Sequence, residues 1–208
     1  MQKLIISNPA IEYFLAKFRN KNTGTYECNV CVENMAMFLA GELSKYLATE
    51  NINVVTPLGT KECNIISEEI ILVPILRAGI AMLSSFQRIL PQSKTGFVWE
   101  HRDEHINPVV DKCKFPAGKN GKVELEGKTV IILDTMLATA GTINACAKLI
   151  HPYNPKQIFC ASILATQVGL ENLSEIISVV ATTSVSDTLD EHAYIYPGVG
   201  DSGDRLFG

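Results

Sequence analysis

The turn that follows the apolar run Thr129–Leu133 carries the clearest chemical signal in the chain. The run ends on Asp134, and a turn of small and hydroxylated residues follows: Ala138, Thr139, Ala140, Gly141 and Thr142. A helical pattern then begins. A helix start presents free backbone N–H groups and a partial positive charge, which suits a phosphate. Small side chains let the backbone approach the anion, and the hydroxyls of Thr139 and Thr142 add donors. A carboxylate at the strand end can accept hydrogen bonds from sugar hydroxyls. An ordinary strand–turn–helix joint with Thr142 as N-cap has the same composition. From this segment alone the two readings stand level. It is not a P-loop, because no Gly-Lys-Ser/Thr is present, and it lacks the spaced glycines of a dinucleotide fingerprint.

Arg77 is the second candidate. It follows the apolar run Ile70–Leu76 directly and opens a helical pattern. A cation at a helix start opposes the helix dipole, so an anionic partner accounts for it better than solvent does. A guanidinium can grip such a partner with two parallel bonds. The third candidate is the tail, with four Gly in residues 198–208. Repeated Gly permits close approach to a flat ligand. Tyr194, Tyr196 and Phe207 argue that this tail is packed, and Asp204 with Arg205 reads as an ion pair closing it. Cys28 and Cys31 form a CxxC, but no second pair stands at zinc spacing and the intervening Asn29 and Val30 do not suit a redox motif. The six cysteines therefore read as thiols, most of them small core hydrophobes. His101 and His105 lack the Glu of a metalloprotease motif and read as surface or loop histidines.

These residues need elements to hold them. Helical patterns cover Pro9–Arg19 with Asn8 as N-cap, Val30–Thr49, Ala78–Leu90, Ala140–Ile150 and a short Gly169–Leu173. Strand patterns cover Val54–Leu58 (an edge or arm), Ile70–Leu76, Thr95–Glu100, Thr129–Leu133, Gln157–Ala165 and Ile176–Thr182. Strands apolar throughout and separated by helices imply an α/β fold, a mostly parallel sheet with helices on both faces. Ligands in such sheets sit beyond the carboxyl ends of the strands. The turns after Leu76, Glu100, Leu133 and Ala165 are the places to expect chemistry. His101–Gly127 is a polar excursion, a loop or hairpin. A length of 208 residues suits a single domain, 1–208. The net charge of −4 argues against nucleic-acid binding. No apolar run reaches the ~20 residues of a membrane span and no secretory signal is visible, so a cytoplasmic location is expected.

The order Asp134, four residues, then Thr139-Ala140-Gly141-Thr142 resembles the donor-binding loop of type I phosphoribosyltransferases. Val73–Gly79 is similar to the diphosphate loop of uracil phosphoribosyltransferases, Val55–Gly59 to their β-arm, and Leu189–His192 with Tyr194–Gly208 to their C-terminal base-binding segment. The resemblance implies transfer of a phosphoribosyl group from 5-phosphoribosyl 1-diphosphate to uracil, giving uridine monophosphate and diphosphate. It implies donor binding by Arg77, Arg102, Asp134, Thr135, Met136, Leu137, Ala138, Thr139, Ala140, Gly141, Thr142 and Asp201. It places uracil on Ile195, Gly200, Asp201 and Ser202, and catalysis on Asp134, Asp201 and Arg77. It implies Mg²⁺ carried mainly by the donor's diphosphate, a polar excursion serving as a water-excluding lid, and a homodimer or higher assembly.

Four features depart from that family's pattern. Thr135 stands where Pro is usual, and Ala140 where Gly is usual. The basic stretch before the second helix is replaced by Thr23–Cys28. Tyr196 replaces a small aliphatic residue beside the base and is expected to narrow that site, which leaves transfer to another base, or a nucleotide-sensing relative without catalysis, as alternatives.

Overall fold

The computed structural model describes residues 1–102, 108–191 and 193–208, with the side chains of Arg102 and Pro108 outside the description. His105 and His192 therefore lie outside the described residues, as does the stretch 103–107, one part of the polar excursion expected to serve as a lid.

The chain opens with β1 (Gln2–Ile5), then α1 (Pro9–Arg19). Asn8 caps α1 as expected, accepting from the N–H groups of Ala10 and Ile11 at 2.9 and 3.0 Å. The second helix, α2 (Thr25–Ser44), starts and ends about five residues earlier than the apolar spacing suggested. Its start is set by a capping contact: the Glu27 carboxylate accepts from the Gly24 N–H at 3.3 Å. Its early end leaves Thr49 free to open a two-stranded arm, β2 (Thr49–Thr56) and β3 (Gly59–Ile66), paired from Thr49–Ile66 to Thr56–Gly59. The arm is thus a full hairpin, larger than the expected Val54–Leu58. Its polar residues gave no period-two pattern because most of them face solvent.

Next come β4 (Ile70–Leu76), α3 (Ile80–Ile89), β5 (Lys94–Thr95), β6 (Phe97–Arg102) and β7 (Pro108–Lys114). The polar excursion is in part the hairpin β6–β7, an antiparallel pair. The chain continues with β8 (Thr129–Leu133), β9 (Met136–Leu137), α4 (Gly141–Ile150), β10 (Gln157–Thr166), α5 (Gln167–Asn172), β11 (Ile177–Ser186), β12 (Thr188–Leu189), β13 (Ile195–Tyr196) and α6 (Ser202–Phe207).

The main sheet runs β1-β11-β10-β8-β4-β6-β7 and is parallel apart from β6–β7. Alternate residues of β4 feed opposite faces. Ile70 and Leu72 join a core that holds Ile11, Met35, Leu39 and Phe86 from α1, α2 and α3. Ile71, Val73 and Ile75 join a second core under Ile143, Cys146 and Ile150 of α4. The expected mostly parallel sheet with helices on both faces is therefore observed, and double burial explains the unbroken apolar runs. At the end of β4 the chain turns tightly against β8: a Cβ on Gly79 would lie 2.1 Å from the Leu133 carbonyl oxygen. Only Gly fits there, and the contact sets the Arg77 loop beside the Asp134 loop.

Candidate active site

A cavity of about 520 Å³ opens beyond the carboxyl ends of β4, β6 and β8. It is lined by residues 75–78, 99–101, 134, 136, 138, 142, 193–195 and 199–203. Three of the four expected turns meet here. The turn after β10 contributes no lining residue but supports the loop from behind: Thr166 Oγ1 donates to the Ala138 carbonyl and accepts from the Gly169 N–H at 2.8 Å. A side chain on Gly169 would collide with the Ala138 carbonyl oxygen, at 2.5 Å, so this second close approach also needs Gly.

Within the loop after β8 the roles divide. Asp134, Met136, Ala138 and Thr142 line the cavity. Leu137 is fully buried in the second core, and Thr139 and Gly141 are not lining residues. Thr142 is not the helix cap. The N-cap of α4 is Ala140, in the left-handed region at φ 70°, and no side chain caps this helix. The Gly141 N–H reaches Thr139 Oγ1 at 3.5 Å, and among the described residues no other side chain is hydrogen-bonded to the first-turn N–H groups of α4 at the cavity edge. The Ala140 methyl packs in the core beneath the loop, away from the cavity.

Thr135 is wholly buried and off the cavity wall. Its hydroxyl pairs with that of Ser202 at 2.7 Å. Arg77 lines the cavity and is ion-paired with Asp204 Oδ1 at 2.8 Å, both partners being more than half exposed. The expected Asp204–Arg205 pair does not form. Arg205 instead donates to the carbonyl oxygens of Phe18, Asn20, Thr23 and Val199, which lie nearer the guanidinium than any carboxylate. Asp201 caps α6 by accepting from the Asp204 N–H at 2.9 Å, and the Tyr194 hydroxyl donates to its other oxygen at 3.3 Å. Ile195, Gly200, Asp201 and Ser202 all line the cavity, so the expected base segment and donor loop face one space. Tyr196 does not narrow it: its side chain is 65% exposed and off the wall, because the alternation of the short β13 turns it outward while Ile195 turns in.

Sequence reasoning missed several wall residues, Trp99, Ala193 and Val199 among them. Trp99 and His101 were findable from their place at the end of β6. His101 is a wall residue rather than a remote surface one, and its Nδ1 lies 2.7 Å from Asp111 Oδ2. The side chain of Arg102 is outside the described residues.

A uracil phosphoribosyltransferase family model matches residues 5–208. The uracil phosphoribosyltransferase of Oceanobacillus iheyensis is 35% identical over 98% of this chain and 97% of its own length. That of Natranaerobius thermophilus is 37% identical over 100% and 99%. This chain belongs to the uracil phosphoribosyltransferase family. Among solved structures, the AQ2163 protein of Aquifex aeolicus superposes with a TM-score of 0.89 at 30% identity, over 99% of this chain and 98% of that one. A hypoxanthine phosphoribosyltransferase of Staphylococcus aureus superposes at 0.53 and 12% identity, over 76% and 74%, and shares the fold.

Four of the cysteines are held away from thiolate chemistry by burial. All six are free, and Cys28, Cys31, Cys146 and Cys160 are buried. Burial pushes each of those four thiols up, well above the ordinary range for Cys146, where Glu100 adds to the effect. Thiolate chemistry at Cys28 and Cys31 is accordingly suppressed. Among the described residues no cluster of three or more His, Cys, Asp or Glu side chains forms a metal cage.

Proposed function

We propose that this cavity binds 5-phosphoribosyl 1-diphosphate and uracil together and joins uracil N1 to ribose C1′, releasing diphosphate and leaving uridine monophosphate. The observation that carries the reading is that one space at the strand ends is shared by Asp134, Ala138 and Thr142, by Arg77, and by residues 199–203. A two-phosphate sugar donor and a flat base need those three kinds of wall.

The 5′-phosphate sits at residues 138–142, where small residues and the uncapped start of α4 offer N–H groups. Asp134 takes the ribose hydroxyls. Positive charge develops on the ribose ring as the diphosphate leaves, and the carboxylates of Asp134 and Asp201, which line the same cavity, stabilise it electrostatically. Arg77 grips the diphosphate, exchanging its exposed Asp204 partner for it. The backbone of residues 200–202 and Ile195 read the base edge, holding N1 in line with C1′. The donor's diphosphate oxygens are hard ligands that would carry Mg²⁺, and Asp134 and Asp201, which both line the cavity, would hold the ion through its water shell. When bound, the ion neutralises the departing diphosphate. Two copies associate through their arms, and the six free cysteines suit a reducing compartment such as the cytoplasm. Tyr196 points outward, so nothing in the cavity favours a different base.

The deciding assay uses purified protein, labelled uracil, donor and Mg²⁺. Uridine monophosphate is the expected product, and its absence while another base is accepted would overturn the choice of uracil. Arg77→Ala should raise the donor KM and lower kcat by at least tenfold. The lost ion pair is exposed and is worth at most about 1 kcal/mol, so the melting temperature should barely move. A variant with normal donor KM would remove Arg77 from the diphosphate site.

A further inference from the structure

The buried contact between Thr135 and Ser202 is not used by any step above. It links two segments that lie 67 residues apart in sequence. On one side is the loop that carries Asp134, and on the other the segment that carries the base-reading backbone. We propose that Thr135 is a positioning residue for the base: through its hydroxyl it fixes Ser202, and with it residues 200–202, relative to the ribose-binding Asp134.

Thr135 is itself held firmly. Its carbonyl oxygen accepts from the N–H groups of both Ile163 and Leu164 on β10, each at 3.0 Å. Its side chain is fully buried, and Ser202 is only 6% exposed. A hydroxyl pair shielded from water in this way is costly to break, because each group left alone is a desolvated polar atom. Among the described residues, the other polar side-chain contact between this segment and a donor loop is of a different kind. Arg77–Asp204 is more than half exposed, and it uses the cation that the diphosphate claims. Arg205 and Asn29, which donates to the Leu206 carbonyl at 2.8 Å, tie α6 to the α1–α2 side of the molecule and not to the donor loops. Among the described residues, the Thr135–Ser202 pair is therefore the side-chain hydrogen bond that still registers base against ribose once the donor has taken Arg77.

The same geometry removes Thr135 from the set of donor ligands. Its hydroxyl is spent on Ser202, its carbonyl on β10, and neither reaches the cavity wall. The consequence is asymmetric. Loss of the hydroxyl disturbs the base and its alignment with C1′, while residues 138–142 and Arg77 keep their hold on the donor. Alignment errors of about 1 Å are expensive in rate.

The test is a set of steady-state measurements on Thr135→Val, Ser202→Ala and the double variant, with Thr135→Ser as the conservative control. Thr135→Val should raise the uracil KM about tenfold, the scale of one lost buried hydrogen bond, and lower kcat, with the donor KM within twofold of wild type. Ser202→Ala should do the same, and the double variant should be no worse than either single one, since both remove one interaction. Thr135→Ser keeps the hydroxyl and should restore the uracil KM. Ser202→Ala introduces no larger group, so it gives the same reading if Thr135→Val folds poorly. An unchanged uracil KM, an equal rise in donor KM, or additive effects in the double variant would overturn the assignment. A rise in donor KM alone would make Thr135 a donor ligand after all. The inference rests on uracil lying against residues 200–202: a wild-type enzyme inert toward uracil refutes that reading, whereas an active one indifferent to Thr135→Val refutes only the positioning role.

Discussion

Ala140 holds a backbone conformation that ordinarily calls for Gly, and it does so at the turn into α4. Its φ of 70° costs a non-Gly residue about 1–2 kcal/mol. Two effects offset this. The methyl is 3% exposed and packed in the second core, which is worth roughly 0.8 kcal/mol. Ala also has fewer unfolded conformations to lose than Gly, worth about 0.4–1 kcal/mol. Ala140→Gly should therefore leave unfolding free energy within about 0.5 kcal/mol of wild type in a urea titration. Because the methyl faces the core, the donor KM should also stay unchanged. A lower donor KM in this variant would show that the methyl crowds the phosphate. The only sign in the sequence of an unusual backbone at residue 140 was that the family usually has Gly there, and the direction of the methyl was not readable at all, since it depends on what α4 packs against. The Thr135–Ser202 pair was equally hidden: neither residue has an unusual neighbour in sequence, and only the folded sheet brings them together.

At the scale of elements, legibility followed burial. The strands β4, β8 and β10 lie between two cores and are apolar almost throughout, so their runs identify them. The edge strands β1 and β7 carry exposed and charged residues and gave no such signal. The site's position beyond the strand ends followed from the parallel sheet alone. The short α6 is a different case, because so short a helix has little stability of its own and is held by side chains from elsewhere. Arg205 is the chief of these. It meets four carbonyl oxygens from α1, the α1–α2 connection and the tail, lies against the Phe18 ring and contacts Cys28 Sγ at 3.3 Å. Arg205→Ala leaves these acceptors without their donor at an expected cost of about 1–3 kcal/mol. Lys has too few donors in a fixed fork to replace it. Both variants should lose stability in a denaturant titration, expose the C-terminal segment to limited proteolysis, and raise the uracil KM more than the donor KM. A protected tail in Arg205→Ala would show that Asn29 and the Thr135–Ser202 pair suffice.

The whole molecule presents one feature that a solitary chain does not explain. The β2–β3 arm carries Leu58, 100% exposed, and Val55, 85% exposed, the two most exposed large apolar side chains among the described residues. A two-stranded hairpin is marginal in water by itself, yet this one keeps its register over eight residues in each strand. A second copy covering the arm resolves both points, and a two-fold axis would let each arm lie on the other protomer in the same way. Replacing Val55 and Leu58 together with Asp puts two like charges into that contact, where burying them unpaired is costly. Sedimentation velocity should give twice the chain mass for wild type and the mass of one chain for the double variant. The cavity itself is lined within one protomer by residues from 75 to 203, so the separated chain should keep measurable transfer activity, with its arm newly open to proteolysis. A wild-type protein that sediments as a single chain at micromolar concentration would rule out arm-mediated pairing and leave the exposed Leu58 and Val55 without a partner.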